Sequence, residues 1–330
     1  MLRIPMIIFM ALLIWLMPID GARTYIVDDS DFANYNTIQE AVVAASNGDT
    51  IYIKPGEYNE EIILNRSLTL MPLTGETGPI VLNGDGLEKG ITITADGCSL
   101  QGLTMRGFLG PAIYIQSSKN SIQKNVFENA SPAILVRGSH ENLIAGNTIT
   151  DSQGAVALWE NSSDNQVLDN EIFGCNVSII VREAAKNKIF GNKISDAFWG
   201  IWLENAGSCQ IISNEIESKR FGIWLLNSST INVTRNIVRI DNSDASITNG
   251  INLANASETL LQSNEINGGA ISLLISNSKN NRIMDNSISG STNAVFIKNS
   301  NSQDLKNNGI RAAEYGIRME NSSQNSFSQN

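Results

Sequence analysis

Glu160 and Glu183 stand 23 residues apart at a position where the same chain otherwise carries Asn205, Asn227, Asn255, Asn299 and Asn321. If the chain coils with that period, the two carboxylates lie about 4.8 Å apart on neighbouring coils. They would repel by roughly 3 kcal/mol at an effective dielectric of 20. Arg182 beside them, a bound cation such as Ca²⁺, or a proton retained on one carboxyl would relieve the repulsion. A retained proton is the state from which paired carboxylates work as acid and base, and a separation near 5 Å, with Glu204 on the next coil, suits a retaining glycosidase. A lyase would instead use Arg182 as base with a cation to neutralise a uronate. The alternative is a set of exposed glutamates splayed into water.

A second group is aromatic. Trp202 and Trp224 are 22 residues apart between apolar neighbours, Trp199 and Phe221 repeat the same offset, and Trp159 lies one place past the end of an equivalent apolar pair. Rings that point outward on adjacent coils offer a rigid apolar face to a sugar ring or to a protein partner; the competing reading is a covering loop or an oligomer seam. Around Asp241, Asn242, Ser243 and Asp244 the chain carries extra residues just after the Trp224 coil. An insertion at one turn of a solenoid is a loop on one face, here on the Trp199 and Phe221 side, and serves binding unless it is neutral. Asp151 and Asp196 share a column two coils apart, about 9.6 Å by strand spacing, nominally an inverting arrangement. His140, the single histidine, falls in the turn Gly138-Ser139-His140-Glu141 and is expected to be solvated.

These positions depend on a repeat. Asn125, Asn147, Asn170, Asn192, Asn214 and Asn236 follow one another at steps of 22, 23, 22, 22 and 22, and after a step of 28 the beat resumes at Asn264, Asn286, Asn308 and Asn330. Apolar residues bracket each anchor, as Ile122 and Phe127 do, and the next short strand brings another alternating pair, read as Ile113/Ile115, Ile134/Val136, Val156/Leu158, Ile179/Val181, Ile201/Leu203, Ile223/Leu225, Ile251/Leu253, Ile271/Leu273, Val295/Ile297 and Ile317/Met319. Alternate residues on a strand share a face, so these pairs point inward and the residue between them outward. Short strands repeating at a coil length fit an all-β, single-domain parallel β-helix, with asparagine amides laddering from coil to coil. Thr37-Ile38-Gln39-Glu40 is a capping box opening a short helix, expected to cover the N-terminal end of the stack. Residues 23–97 read as the cap and first irregular rungs, residues 98–330 as regular coils of about 22 residues. The other end shows no comparable cap, and the last anchor leaves half a coil unwritten.

Residues 1–22 combine Arg3, an apolar run from Ile4 to Ile19 and a small-residue end at Gly21-Ala22, the pattern of a secretory signal peptide cleaved near Ala22; the rival is an uncleaved anchor. No later segment is expected to span a membrane. A net charge of -10 leaves no basic face for nucleic acid. Cys98 and Cys209 share one column five coils apart, roughly 24 Å, which excludes a disulfide between them. The three cysteines are expected to be free and mostly buried.

Thr37-Ile38-Gln39-Glu40-Ala41-Val42, then Gly48-Asp49-Thr50-Ile51-Tyr52-Ile53-Lys54-Pro55-Gly56-Glu57-Tyr58, is similar to the opening of many secreted right-handed parallel β-helix proteins. The later Asn-x-Ile and Gly-Ile-x-Leu coils resemble the NosD-like, carbohydrate-binding and sugar-hydrolysis repeat family. The resemblance covers nearly everything after residue 24 and implies a right-handed helix at the cell surface or in a periplasm-like space, in contact with polysaccharide or a cell-envelope protein. It is specific for fold and silent on activity, because the matching positions are core and turn residues. The copper role associated with NosD-like proteins would need ligands, yet His140 stands alone and no Met or Cys cluster falls in one coil. The Asp-Pro-His-Asp motif of related epimerases is absent. Three readings therefore stay open: an exported binder using the aromatic stripe, a hydrolase or lyase using Glu160, Glu183, Glu204 and Arg182, and a structural or metal-accessory protein.

Overall fold

A computed structural model describes residues 21–30, 34–241, 248–290, 292–312 and 314–330. The signal segment up to residue 20 and Asp244 of the insertion lie outside the described residues. The described chain winds into a right-handed parallel β-helix: strands of successive coils pair in parallel, forming one sheet of 14 strands and a second of 22. A typical coil runs Ser121–Gln123 on the first sheet, then Val126–Glu128 and Ile134–Arg137 on the second.

Local sequence makes the corners. Many bends turn on a residue in left-handed conformation, as at Lys124 (φ 54), Gly146 (φ 61), Asp169 (φ 51) and Gly191 (φ 67) just before the anchor asparagines. Gly, Asn and Asp are frequent there because they visit that region at least cost. At the third corner strand pairing carries on through the bend in two coils, with Asp196 left-handed at φ 53 and shifts of register around Ala197. Lys193–Glu204 and Glu215–Leu226 run on as single long strands. Glycine makes this possible: a Cβ at Gly200 would sit 2.4 Å from the carbonyl oxygen of Gly222, and one at Gly222 would sit 2.6 Å from that of Gly250.

Inside, Ile122, Phe127, Ile201, Leu203, Ile223 and Leu225 are buried in one continuous core. The anchors form the expected ladder. Oδ1 of Asn192 accepts from the backbone N–H of Asn170 at 3.0 Å and from its Nδ2 at 2.9 Å, while Nδ2 of Asn192 donates to the Val167 carbonyl at 2.9 Å. The same pattern continues through Asn214, Asn236, Asn264, Asn286 and Asn308 to Asn330. A second ladder joins Cys98, Asn120, Asn142, Asn165 and Asn187. The register thus places Cys98 and Cys209 in the column expected, and all three cysteines are free and buried.

The helix spans Ile38–Ala44 and buries Ile38, Ala41 and Val42 against the first rungs. Thr37 Oγ1 accepts from the Glu40 N–H, but the remaining free N–H groups are taken from across the coil: Glu60 accepts from Ile38 N at 2.7 Å and Gln39 N at 2.8 Å. The apolar runs at 50–53, 61–64, 68–71, 80–82 and 90–94 predict strands, and strands form at Thr50–Ile53, Ile62–Leu64, Thr69–Pro72, Ile80–Asn83 and Ile91–Ile93. One register differs. Ile251 pairs with Leu273 and Leu253 with Ile275, so the inward pair of that coil is Leu273/Ile275, not Ile271/Leu273, and Leu274 rather than Ser272 joins the outward column. A slip of two preserves the in–out alternation; only the tight glycine column, in which Ser272 follows Gly250, fixes it.

Candidate functional site

Gly200 and Ile201 are both buried, as are Gly222 and Ile223, so the residues three apart on either side of each pair lie on the same side of the strand and converge. Trp199 and Trp202 come to 5.1 Å between ring centroids. The parallel register sets Trp202 against Trp224 and Trp199 against Phe221. Trp202 and Trp224 stack at 5.5 Å and 13°, Trp199 meets Phe221 at 4.7 Å, and Phe221 meets Trp224 at 5.2 Å. The expected stripe is therefore one body of four rings on adjacent coils. Phe221, only 6% exposed, wedges the cluster from beneath, whereas the three tryptophans are half-buried and present surface. Each aromatic pair of this kind contributes about 0.5–1.5 kcal/mol beyond its burial.

Cations border the rings. The Arg182 guanidinium lies 5.6 Å from the Trp202 ring, and Arg220 lies 5.3 Å from Phe221 and 5.6 Å from Phe198. Arg182 also bonds Glu204 at 2.8 Å, and Lys219 bonds Asp196 at 2.6 Å. Trp159 does not join the cluster: it sits in the column Arg137, Trp159, Arg182, Glu204, two coils before Trp202's own.

That column also relocates the acids. Glu160 and Glu183 do occupy adjacent turns, each with a left-handed backbone (φ 50 and 53). Glu204 is not in their column but one residue earlier, on the strand with Arg182. The expected relief of Glu160 by Arg182, a cation or a shared proton is replaced by an ion pair with Arg137, whose Nε and Nη2 donate to the two carboxylate oxygens at 2.7 and 2.6 Å. The pair is half-exposed on both sides, so it fixes geometry more than it stabilises, at roughly 0.2–1 kcal/mol. Arg137 was legible in the sequence as the residue one coil before Trp159. Asp151 and Asp196 lie two coils apart with Gly174 between them, as expected. Asp241 is exposed at the start of the insertion, its N–H donating to the Ser218 carbonyl at 2.9 Å. His140 is exposed, 2.8 Å from Ser163 Oγ, on the rim of a shallow groove of about 410 Å³ that Glu183, Lys186 and Asn205 also line.

Sequence reasoning missed one feature. Beyond the rings, the same two outward columns continue as Asn249 and Asn252. The Oδ1 atoms of Asn249, Asn252 and Asn293 are buried with no hydrogen-bond partner among the described residues, and so are the indole N–H groups of Trp159, Trp202 and Trp224. A buried orphan of this type costs about 1–3 kcal/mol, and native structures carry few of them. The signal available in the sequence was that Asn249 and Asn252 keep the Trp199/Trp202 spacing around Gly250-Ile251.

Among the described residues no group of three or more His, Cys, Asp or Glu is placed to hold a metal ion. The cysteines are buried singly in the stack and His140 bonds a serine, so these side chains do not fit a copper centre. Nor is any helix of the described residues long and apolar enough to cross a membrane.

The family model described as right handed beta helix region matches residues 20–168 and 111–249, and that of periplasmic copper-binding protein (NosD) matches residues 196–330. No curated protein matches the sequence. Among solved structures, DFA-IIIase from Arthrobacter chlorophenolicus A6 without its lid, in complex with GF2, is similar at a TM-score of 0.71 and 12% identity, over 91% of this chain and 99% of that one. The catalytic domain of a GH87 alpha-1,3-glucanase in complex with nigerose is similar at 0.56 and 13%, over 92% and 69%. A rhamnogalacturonan lyase is similar at 0.52 and 10%, over 76% and 82%. At these identities the likeness is one of fold.

Proposed function

Because this chain belongs to the right-handed β-helix family, with NosD-like coils in its second half, its outward columns are held in fixed register, and we propose that it is an exported cell-envelope protein that binds polysaccharide on the Trp199, Trp202 and Trp224 cluster. The observation that carries this reading is the stacking of Trp202 on Trp224 at 5.5 Å and 13° with both rings half-buried. Such a surface is rigid before a ligand arrives, so little conformational entropy is lost on contact. Phe221 supports the rings from below, and Arg182, held by Glu204, borders them. The signal segment of residues 1–22 and the periplasmic description of the NosD model support export.

In this reading Glu160, Glu183 and Glu204 orient the flank rather than turn over a glycosidic bond. Arg137 and Arg182 hold two of the three carboxylates in ion pairs, so those oxygens are engaged by guanidinium N–H groups instead of standing free on either side of a glycosidic bond, as a retaining mechanism requires. A glycan array probed with the refolded mature chain, run beside a reducing-sugar and an unsaturated-product assay, tests both halves. Retention of glycans without turnover is expected. Sustained product release abolished by Glu160→Gln or Glu183→Gln would establish the hydrolase or lyase instead.

A further inference from the structure

The anchor asparagines and those beyond the rings are treated differently by the fold. In the ladder every amide is bonded, as Asn214 is to Asn236, Ile189 and Ile212. Beyond the rings, Asn249, Asn252 and Asn293 are 1%, 7% and 6% exposed, yet their Oδ1 atoms have no partner among the described residues. Asn249 and Asn252 stand on one coil directly beyond Phe221 and Trp224. Asn293 returns to the Asn249 column two coils later, with Ile271 between. Polar groups therefore recur on alternate coils of the same line that the aromatic cluster begins.

We propose that this surface seats a neutral, extended glycan of the β-1,4-linked hexopyranose type, lying along the solenoid axis, with its rings packed against the exposed edges of Trp202 and Trp224 and hydroxyls bonded to the amides of Asn249, Asn252 and Asn293. This rests on the polysaccharide-binding reading and names the ligand class for it. Three features select that chain. The coil spacing of about 4.8 Å is close to the advance of one sugar in an extended β-1,4 chain, so each coil meets one ring. Such a chain is two-fold, so the same edge returns at every second sugar, as Asn249 and Asn293 do on alternate coils. An amide oxygen without a partner calls for a hydroxyl donor, and a half-turn about the Cβ–Cγ bond offers the amide N–H pair to a hydroxyl oxygen instead. A carboxylate can satisfy only the second. Of the flanking cations, Arg182 is paired with Glu204 and Lys219 with Asp196, while Arg220 lies over the Phe198 and Phe221 rings; the net charge of -10 disfavours a polyanion.

Calorimetry and tryptophan fluorescence with cellohexaose or mannohexaose, cellotriose, laminarihexaose and hexagalacturonate test the proposal on the full chain. The β-1,4 hexamers should quench the fluorescence and bind at least tenfold tighter than cellotriose, because only the longer chain reaches from Trp202 to Asn293. Laminarihexaose and hexagalacturonate should bind at least tenfold more weakly. Asn249→Leu and Asn293→Leu should each lose roughly tenfold in affinity while keeping the quench. Equal binding of the β-1,3 or uronate hexamers, no dependence on length, or asparagine variants that bind as the parent does would overturn it. In those cases loss of binding in Trp202→Ala alone keeps the platform reading alive. Should none of these glycans bind the parent, both readings fall. If a leucine variant does not fold, the length series on the parent still decides.

Discussion

Trp199 stacks diagonally on Trp224 of the following coil, at 4.8 Å and 27°, closer than Trp202, which faces Trp224 directly at 5.5 Å. Trp199 also touches Phe198, Trp202 and Phe221. It is the ring through which the others are joined, and the cluster exists as one surface because the strand carries it around the Gly200 corner.

Removing that ring should therefore act beyond its own contact area. Trp199→Ala is expected to weaken glycan retention at least as much as Trp202→Ala or Trp224→Ala, and to lose the near-ultraviolet circular dichroism of the stacked indoles. Stability should fall by about 2–4 kcal/mol, the scale of several aromatic contacts plus lost burial. A Trp199→Ala protein with unchanged near-ultraviolet signal would show that the rings hold their places separately.

Glu183 occupies a left-handed turn at φ 53 where later coils place Asn205 and Asn227. A long side chain there carries a backbone cost of roughly 1–2 kcal/mol that asparagine largely avoids. Glu183→Asn should raise the thermal midpoint and leave glycan binding as in the parent, since the ring cluster lies on the neighbouring strand. Glu160→Asn gains the same backbone relief but breaks the Arg137 pair, so its midpoint should rise less. A lower midpoint for Glu183→Asn would mean that its carboxylate has a structural partner.

The buried thiols make a pH prediction. Burial pushes Cys175 and Cys209 up to about 11, from an ordinary 9.0. In the folded chain they stay protonated while the unfolded chain loses its protons first. Stability is thus fully present below pH 9 and is lost as pH rises through the folded value. Cys209→Ala should flatten that alkaline loss, whatever it costs at neutral pH in packing. A thiol reagent should label the three cysteines only after denaturation; fast labelling of native protein at pH 8 would contradict their burial.

The repeat made the fold readable, because anchor, inward pair and turn residue each recur where physics permits few substitutes. Trp202 and Trp224 could be set on adjacent coils from the 22-residue offset alone. The convergence of Trp199 on Trp202 could not, since it depends on the strand bending at Gly200 against the Gly222 carbonyl. Pairing of Glu160 with Arg137 was missed because charge partners were sought within one coil, while the long guanidinium reaches across coils. The slip at Ile271 has the same root: alternation has a period of two, and a displacement of two leaves it unchanged.

Asn192 tests the ladder itself. Its amide satisfies the Asn170 N–H and Nδ2, and it donates to the Val167 and Phe190 carbonyls and to Asn214 Oδ1. Asn192→Ala removes all of these at a fully buried position and leaves several polar groups without water or protein partners. At about 1–3 kcal/mol for each group left unsatisfied, a loss of roughly 3–5 kcal/mol is expected once relaxation is allowed for. Asn192→Asp keeps the acceptor but loses the amide donors and buries a charge, so it should be no better at neutral pH. Because each coil contacts only its neighbours, the damage should be local: hydrogen exchange should accelerate around residues 165–215 and leave the N-terminal rungs protected. Uniform acceleration along the whole chain would show that the solenoid unfolds as one cooperative block rather than coil by coil.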